Sequence, residues 1–187
     1  MSWTTTKKND ALEEALKNAV ADSESHHPIL LFCSGAEEGV WSEKVYPAEH
    51  GVAIRVAAAD KYGQLLANQD KDDVNIFIPG EDVKVEGPHY MENLQEAVVG
   101  GSSVATALAS GIASLAMVLL RTFNDVEEND DNQNDKTKYQ KFYKKAGILE
   151  VFKKMNSEAQ GIKVSKLFPN DSSQLPKLWK LDEWKFD

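Results

Sequence analysis

Two adjacent serines, Ser102 and Ser103, follow Gly100 and Gly101 and open a long run of small and apolar residues, "GGSSVATALASGIASLAMVLL". Three chemistries suit such a stretch. A phosphate loop needs a lysine after its last glycine, and none is present. A membrane span needs about 20 apolar residues. Ala97 to Leu120 is uncharged and long enough, but alanine, glycine and serine dilute it and no aromatic belt flanks it. The third is a strand-to-helix turn that presents a hydroxyl nucleophile. Glycines permit the tight backbone, and the positive end of the helix favours nearby negative charge. Serine is also a common helix cap, so the turn alone leaves cap and nucleophile both open.

A nucleophile held this way needs strands that end beside it. Asp10 with Glu13 reads as a capping box. Ala11, Leu12, Ala15, Leu16, Ala19 and Val20 then share one helical face. "ILLFCS" (29–34) is continuously apolar and reads as a buried strand. "GAEEG" follows as a turn with two carboxylates, and "ESHHP" ahead of the strand breaks the first helix. "VAIRVAAAD" (52–60) and "VNIFIPG" (74–80) read as further strands, the latter ended by Pro79 and Gly80. An irregular stretch, a short strand at "EAVV" and a helix over 102–121 complete the pattern. This order predicts an α/β fold, a largely parallel sheet with helices on both faces. Sites in such folds lie outside the carboxyl ends of the strands. Gly35 to Gly39 and Gly100 to Ser103 are the two turns that qualify.

Composition narrows the function. The 187 residues carry 30 acids against 21 bases, a formal net charge of −9. That excludes a general nucleic-acid surface, which needs basic patches to displace counterions. The single cysteine, Cys33, forms no intrachain disulfide. It fits a reducing, cytoplasmic compartment and, lying in an apolar strand, reads as a small buried hydrophobe. Met1 to Val20 has no apolar run of the kind a secretory signal needs. Residues 123–137 are acidic and amide-rich and read as a disordered linker or loop. Residues 138–187 follow as a lysine-rich amphipathic helix or helix pair, interrupted at Gly147. A tail with Trp179 and Trp184 is expected to lie on the main body.

Set in this order, the segments resemble the subtilases, the subtilisin-like serine proteases. "GGSSVATALASG" is similar to their serine signature, G-T-S-x-A-x-P and a small-residue helix. Gly101, Ser103 and Ala105 match it, Ser102 stands for threonine, and Ala107 stands where proline is usual. "YPAEHGVAIRVAAAD" resembles the family's tyrosine-proline turn and next strand, and "VNIFIPGEDV" its V-D-I-x-A-P-G-x-x-I segment. "ALEEALKNAV" with "ILLFCSGAEEG" resembles the helix and strand before the oxyanion asparagine, and "MSWT" a cleft-lining strand. The resemblance covers residues 1–122.

It implies a partial subtilisin-like fold and a serine endopeptidase with Ser103 as catalytic nucleophile. Glu37 would occupy the oxyanion-hole position, or Ala36 if the alignment slides by one; neither supplies the usual amide donor. Ser2, Trp3, Thr4, Ser34, Gly35, Ala36 and Val45 would line the substrate pocket, and the Tyr46–Pro47 bond would be cis. No cofactor or metal is implied. The partners are a peptide or protein substrate and the missing N-terminal half of the catalytic domain, with no nucleic acid and no membrane. The family's H-G-T-H and D-[ST]-G motifs do not occur. His26, His27, His50 and His89 read as loop histidines, and Asp60 and Asp82 lie outside the family's aspartate strand. The chain therefore reads as the C-terminal half of a catalytic domain, inactive by itself. A pseudoprotease or peptide-binding module is the alternative.

Overall fold

The protein was analysed as a computed structural model, which describes residues 1, 5–22, 29–35, 44–66, 74–86, 90, 97–124, 141–157, 161–162, 166 and 168–179. Helix α1 spans Asp10–Asp22. Its N-terminal cap is Asn9, whose Oδ1 accepts from the Leu12 N–H at 3.0 Å. The cap thus sits one residue before the expected Asp10, because Asn9 Oδ1 reaches an otherwise unpaired first-turn amide. Glu13 is engaged instead by Lys8 and Lys17.

Three parallel strands follow: β1 (Phe32–Ser34), β2 (Ile54–Ala59) and β3 (Ile76–Pro79), in the spatial order β1-β2-β3. Phe32 is opposite Ile54, and Ala58 is opposite Ile78. β1 is buried throughout and β2 nearly so, as a parallel sheet covered on both faces requires. Met1 extends the sheet beyond β1: its amino group donates to the Phe32 carbonyl, and its own carbonyl accepts from Ser34 N–H at 3.0 Å. A hairpin, β4 (Val83–Val85) with β5 (Ala97–Val99), leads into α2 (Ser102–Asn124). β4 falls in the stretch expected to be irregular, and its pairing with β5 organises it. The Tyr46–Pro47 bond is cis, as the resemblance implied.

α2 is long and apolar enough, by length and composition, to cross a membrane. One face of it packs on the sheet: Ala105, Ala109, Ala113, Ala116 and Leu120 meet Phe32, Ile54, Val56, Ala58, Ile76 and Ile78. Alanine at each close contact lets the helix lie near strands that themselves carry alanines. The same cluster takes in Phe142 from a 3₁₀ turn (Lys141–Tyr143) and Ile148, Val151, Phe152 and Met155 from α3 (Lys145–Met155). It also takes in Trp179, just after α4 (Leu175–Leu178), with its ring 5.5 Å from Phe168. Trp184 lies outside the described residues. On the opposite side of the sheet Cys33, Ala48 and Ala53 form a smaller cluster with Met1, Leu31 and Val45. Cys33 is fully buried, which pushes its thiol pKa up.

Two further elements differ from expectation. α2 continues to Asn124, into the start of the segment read as linker; residues 125–140 lie outside the described residues. α3 runs through Gly147 without interruption, and the break comes at Lys144, between the 3₁₀ turn and α3. Gly147 is a contact residue: a Cβ there would lie 2.0 Å from the Lys141 carbonyl oxygen. Gly111 in α2 is the opposite case, with nothing within 4 Å of an added Cβ. Gly147→Ala should therefore destabilise the fold by about 1–3 kcal/mol or more through overpacking. Gly111→Ala should stabilise it by about 0.5–1 kcal/mol through helix propensity. Urea midpoints measured at unchanged m-value test both.

Candidate active site

The start of α2 is tied to the carboxyl ends of β1 and β3. Gly101 N–H donates to the Gly80 carbonyl, just past β3, at 2.6 Å. Ser102 Oγ donates to the Gly35 carbonyl, just past β1, at 3.3 Å. Gly35 N–H in turn donates to the Val56 carbonyl in β2 at 2.8 Å. Gly101 has φ 106°, a conformation in which an L side chain is strained. Gly80 is sterically required, since a Cβ would meet Ala58 Cβ at 2.8 Å and the Gly101 carbonyl at 3.0 Å. One glycine required by contact, Gly80, and one required by its backbone conformation, Gly101, thus bring a strand end and a helix start together.

This seating separates the two serines. Ser102 is 2% exposed and bonded inward, and its carbonyl accepts from Thr106 Oγ1 at 2.7 Å. Ser103 is exposed, in the first turn of α2. There the positive end of the helix dipole favours negative charge nearby. Sequence reasoning gave Ser102 a place in a motif and, with Ser103, a candidate cap; the structure adds its bond to the Gly35 carbonyl, which ties the helix start to β1. Its one sequence signal was the serine at the motif's threonine position, a hydroxyl conserving the donor.

Among the other expected site residues, Ser34 is buried at the end of β1 and Gly35 follows it. Both therefore lie close to the start of α2. Val45 packs against the Cys33 cluster, on the side of the sheet away from α2. Ser2, Trp3, Thr4, Ala36 and Glu37 lie outside the described residues, as do His26, His27 and His89. Asp60 caps its own turn, accepting from Tyr62 and Gln64 N–H at 2.8 Å each. Asp82, exposed ahead of β4, adopts φ 50°, which aspartate tolerates better than most residues. No group of three or more His, Cys, Asp or Glu side chains able to hold a metal occurs among the described residues.

His50 departs from the reading of it as an ordinary loop histidine. It ends the short 3₁₀ turn Ala48–His50, and its side chain is 1% exposed. Nδ1 lies 3.3 Å from Glu13 Oε2 on α1, and the ring stacks 4.9 Å from Tyr46. Nε2 is buried without a hydrogen-bond partner, so it is not in hydrogen-bond contact with Ser103. The imidazole joins α1 to the turn before β2. Lys145 makes a comparable join from α3, donating to the Gly51 and Ala53 carbonyls at 3.0 and 2.7 Å. Burial, and then the nearby Arg55 charge, lowers its pKa.

No protein-family model matches the sequence, and none of the curated proteins matches it significantly. Solved structures do match in fold. The self-cleaved protease domain of PatA is 20% identical with a TM-score of 0.56, over 94% of this chain and 59% of that one. The prenylagaramide maturation protease PagA is 18% identical with a TM-score of 0.54, over 85% of this chain and 53% of that one. The PatG macrocyclase in complex with peptide gives 18% and 0.50, over 66% and 40%. The chain thus spans less than two thirds of the length of the structures it matches. Its α/β arrangement is the partial subtilisin-like fold that these structures share with it.

Glu13 offers a direct check on the α1 junction. Lys17 first, and then Lys8, hold its carboxyl down at about 2, against an ordinary 4.5. A depressed carboxylate stabilises the fold fully above the unfolded value, and that contribution is lost as the pH falls through the folded one. Carbon-detected NMR of Glu13 should give a midpoint near 2, and Lys17→Ala should move it toward 4.5. A midpoint at 4.5 in the unaltered protein would show that these ion pairs do not form in solution.

Proposed function

We propose that this chain is the nucleophile-bearing part of a subtilisin-like serine endopeptidase. The observation that carries the reading is the division of labour between two neighbours: Ser102 is buried and bonded to the end of β1, which holds Ser103 exposed in the first turn of α2. The fold shared with the protease domains of PatA and PagA supports it.

In the complete enzyme, Ser103 Oγ attacks the scissile carbonyl carbon as a histidine takes its proton. The tetrahedral intermediate collapses, the histidine gives that proton to the leaving amine, and water hydrolyses the acyl-enzyme. A serine hydroxyl is a poor nucleophile without such a base. The only described histidine, His50, is committed to Glu13. The base and its orienting aspartate therefore come from outside the described residues. The first-turn amide of Ser103 is the backbone donor assigned to the oxyanion. Glu37 stands at the side-chain donor position, where an ionised carboxylate opposes developing negative charge. The resemblance assigns Ser34, Gly35 and Ala36 to one wall of a substrate pocket, and Ser2, Trp3 and Thr4 to the other. Val45 packs with the Cys33 cluster. No cofactor is needed, and the setting is cytoplasmic.

The burial of His50 also favours a second reading. A chain that keeps the cleft strands but has no base at its serine binds extended peptides without cutting them, by adding them as a strand.

A serine-directed fluorophosphonate separates the two. The isolated chain should label slowly and leave peptides intact. Supplying the base-bearing segment should accelerate labelling, and Ser103→Ala should abolish it. Labelling that survives Ser103→Ala sinks the nucleophile assignment, and a completed assembly that binds peptide without labelling establishes the second reading. In an active assembly, Glu37→Asn should raise kcat, because a missing oxyanion donor typically costs about 10²–10³ in rate. An unchanged or lower kcat would remove Glu37 from the oxyanion site.

A further inference from the structure

Thr106 is a buried hydroxyl on a helix that otherwise meets the sheet through alanines. It is 4% exposed, beside Ala105 and Ala109 of the core. A buried hydroxyl needs a partner, and Thr106 finds one four residues back: Oγ1 donates to the Ser102 carbonyl at 2.7 Å. Threonine readily makes such a bond within a helix, so the bond alone decides nothing. Ser110 bonds the Thr106 carbonyl in the same way, and the exposed Thr122 bonds the Val118 carbonyl, both at 2.9 Å. What distinguishes Thr106 is the peptide unit it reaches. The Ser102 carbonyl and the Ser103 N–H are the two ends of one amide, and that N–H is the donor assigned to the oxyanion.

We propose that Thr106 is a positioning residue for the oxyanion donor, orienting and polarising the Ser103 amide through the Ser102 carbonyl. This rests on the reading of Ser103 as nucleophile and adds a residue to that site. Two effects act together. The first is direction. A trans peptide is planar, and its C=O and N–H point opposite ways. Tyr46–Pro47 carries the cis bond found among the described residues, and the Ser102–Ser103 bond is trans. Holding the carbonyl therefore aims the N–H. Ser102 is already fixed from the other side, because its Oγ is bonded to the Gly35 carbonyl and Gly101 N–H to the Gly80 carbonyl. Thr106 clamps the remaining end of the residue. The second effect is charge. An amide whose carbonyl accepts a hydrogen bond becomes a stronger N–H donor. Such cooperative strengthening is on the order of 10–30% per bond and is favoured where the local dielectric is low. Both Ser102 and Thr106 are buried, so water does not compete for this carbonyl. Thr122 makes the same kind of bond at the exposed far end of α2 and has no such amide to act on.

The test uses the whole chain. Thr106→Val keeps the volume and removes the hydroxyl, and Thr106→Ser keeps the hydroxyl. In ¹⁵N NMR the Ser103 amide nitrogen should move upfield in Thr106→Val. It should stay in place in Thr106→Ser and in the control Thr122→Val. Fluorophosphonate labelling of Ser103 should slow about three- to tenfold in Thr106→Val, short of the ~10²–10³ that loss of a whole donor costs, and recover in Thr106→Ser. Should Thr106→Val lose helix by circular dichroism, Thr106→Ala serves in its place. An unmoved Ser103 nitrogen in the hydroxyl-free variant overturns the proposal. So does labelling of Ser103 at the unaltered rate, or slowing that Thr106→Ser fails to rescue; each of these leaves the nucleophile reading standing. Labelling that never reaches Ser103 removes that reading, and the proposal with it.

Discussion

The molecule depends on the contact between the start of α2 and the ends of the parallel strands. Gly101 and Gly80 approach until main chain meets main chain, and Ser102 reaches across to Gly35. Each contact requires the others. Without glycine at 80 the strand end and the helix turn collide. Without Gly101 the turn cannot take its left-handed bend, and without a hydroxyl at 102 the first helical turn loses its hold on β1. The exposed hydroxyl of Ser103 is a product of this geometry, since its neighbour is committed inward.

The core explains why the contact is rigid. α2 meets the sheet through alanines, and β2 answers with Ala58, flanked by the buried Ala57 and Ala59. Small side chains have no rotamers to exchange, so the helix has little freedom to shift on the strands. The outer elements are fastened differently. His50 with Glu13 holds α1, and Lys145 holds α3 through two carbonyls of the β2 approach. These polar joins replace apolar burial where elements meet at an edge. The larger aromatic residues, Phe142, Phe152 and Trp179, close the remaining volume from the chain's C-terminal third.

Much of this was legible in the residues. Continuous apolar runs marked β1, β2 and β3, because strands buried on both faces need no alternation. The run of small residues after Ser103 marked a core helix. The order of motifs, rather than any one of them, carried the resemblance, which implied the cis Tyr46–Pro47 bond that the structure has. What escaped depended on contacts distant in sequence. β4 is three residues around a lysine, and only β5 makes it a strand. Gly147 looked like a break because its reason is a neighbouring carbonyl. His50 looked like a loop residue because Glu13 lies 37 positions earlier and is brought to it by the fold. Ser102 bonds to a carbonyl 67 residues away, which no local pattern encodes.

One consequence follows from the glycine-to-glycine seat. A hydroxyl positioned chiefly by backbone contact owes little to the side chains of the surrounding loops. The connections leaving β1 and β3 can diverge in length and composition while the hydroxyl stays where it is. Such a chassis lets the surrounding loops change at small risk to the seat, and proteins so divided tolerate wide drift in sequence while their architecture persists.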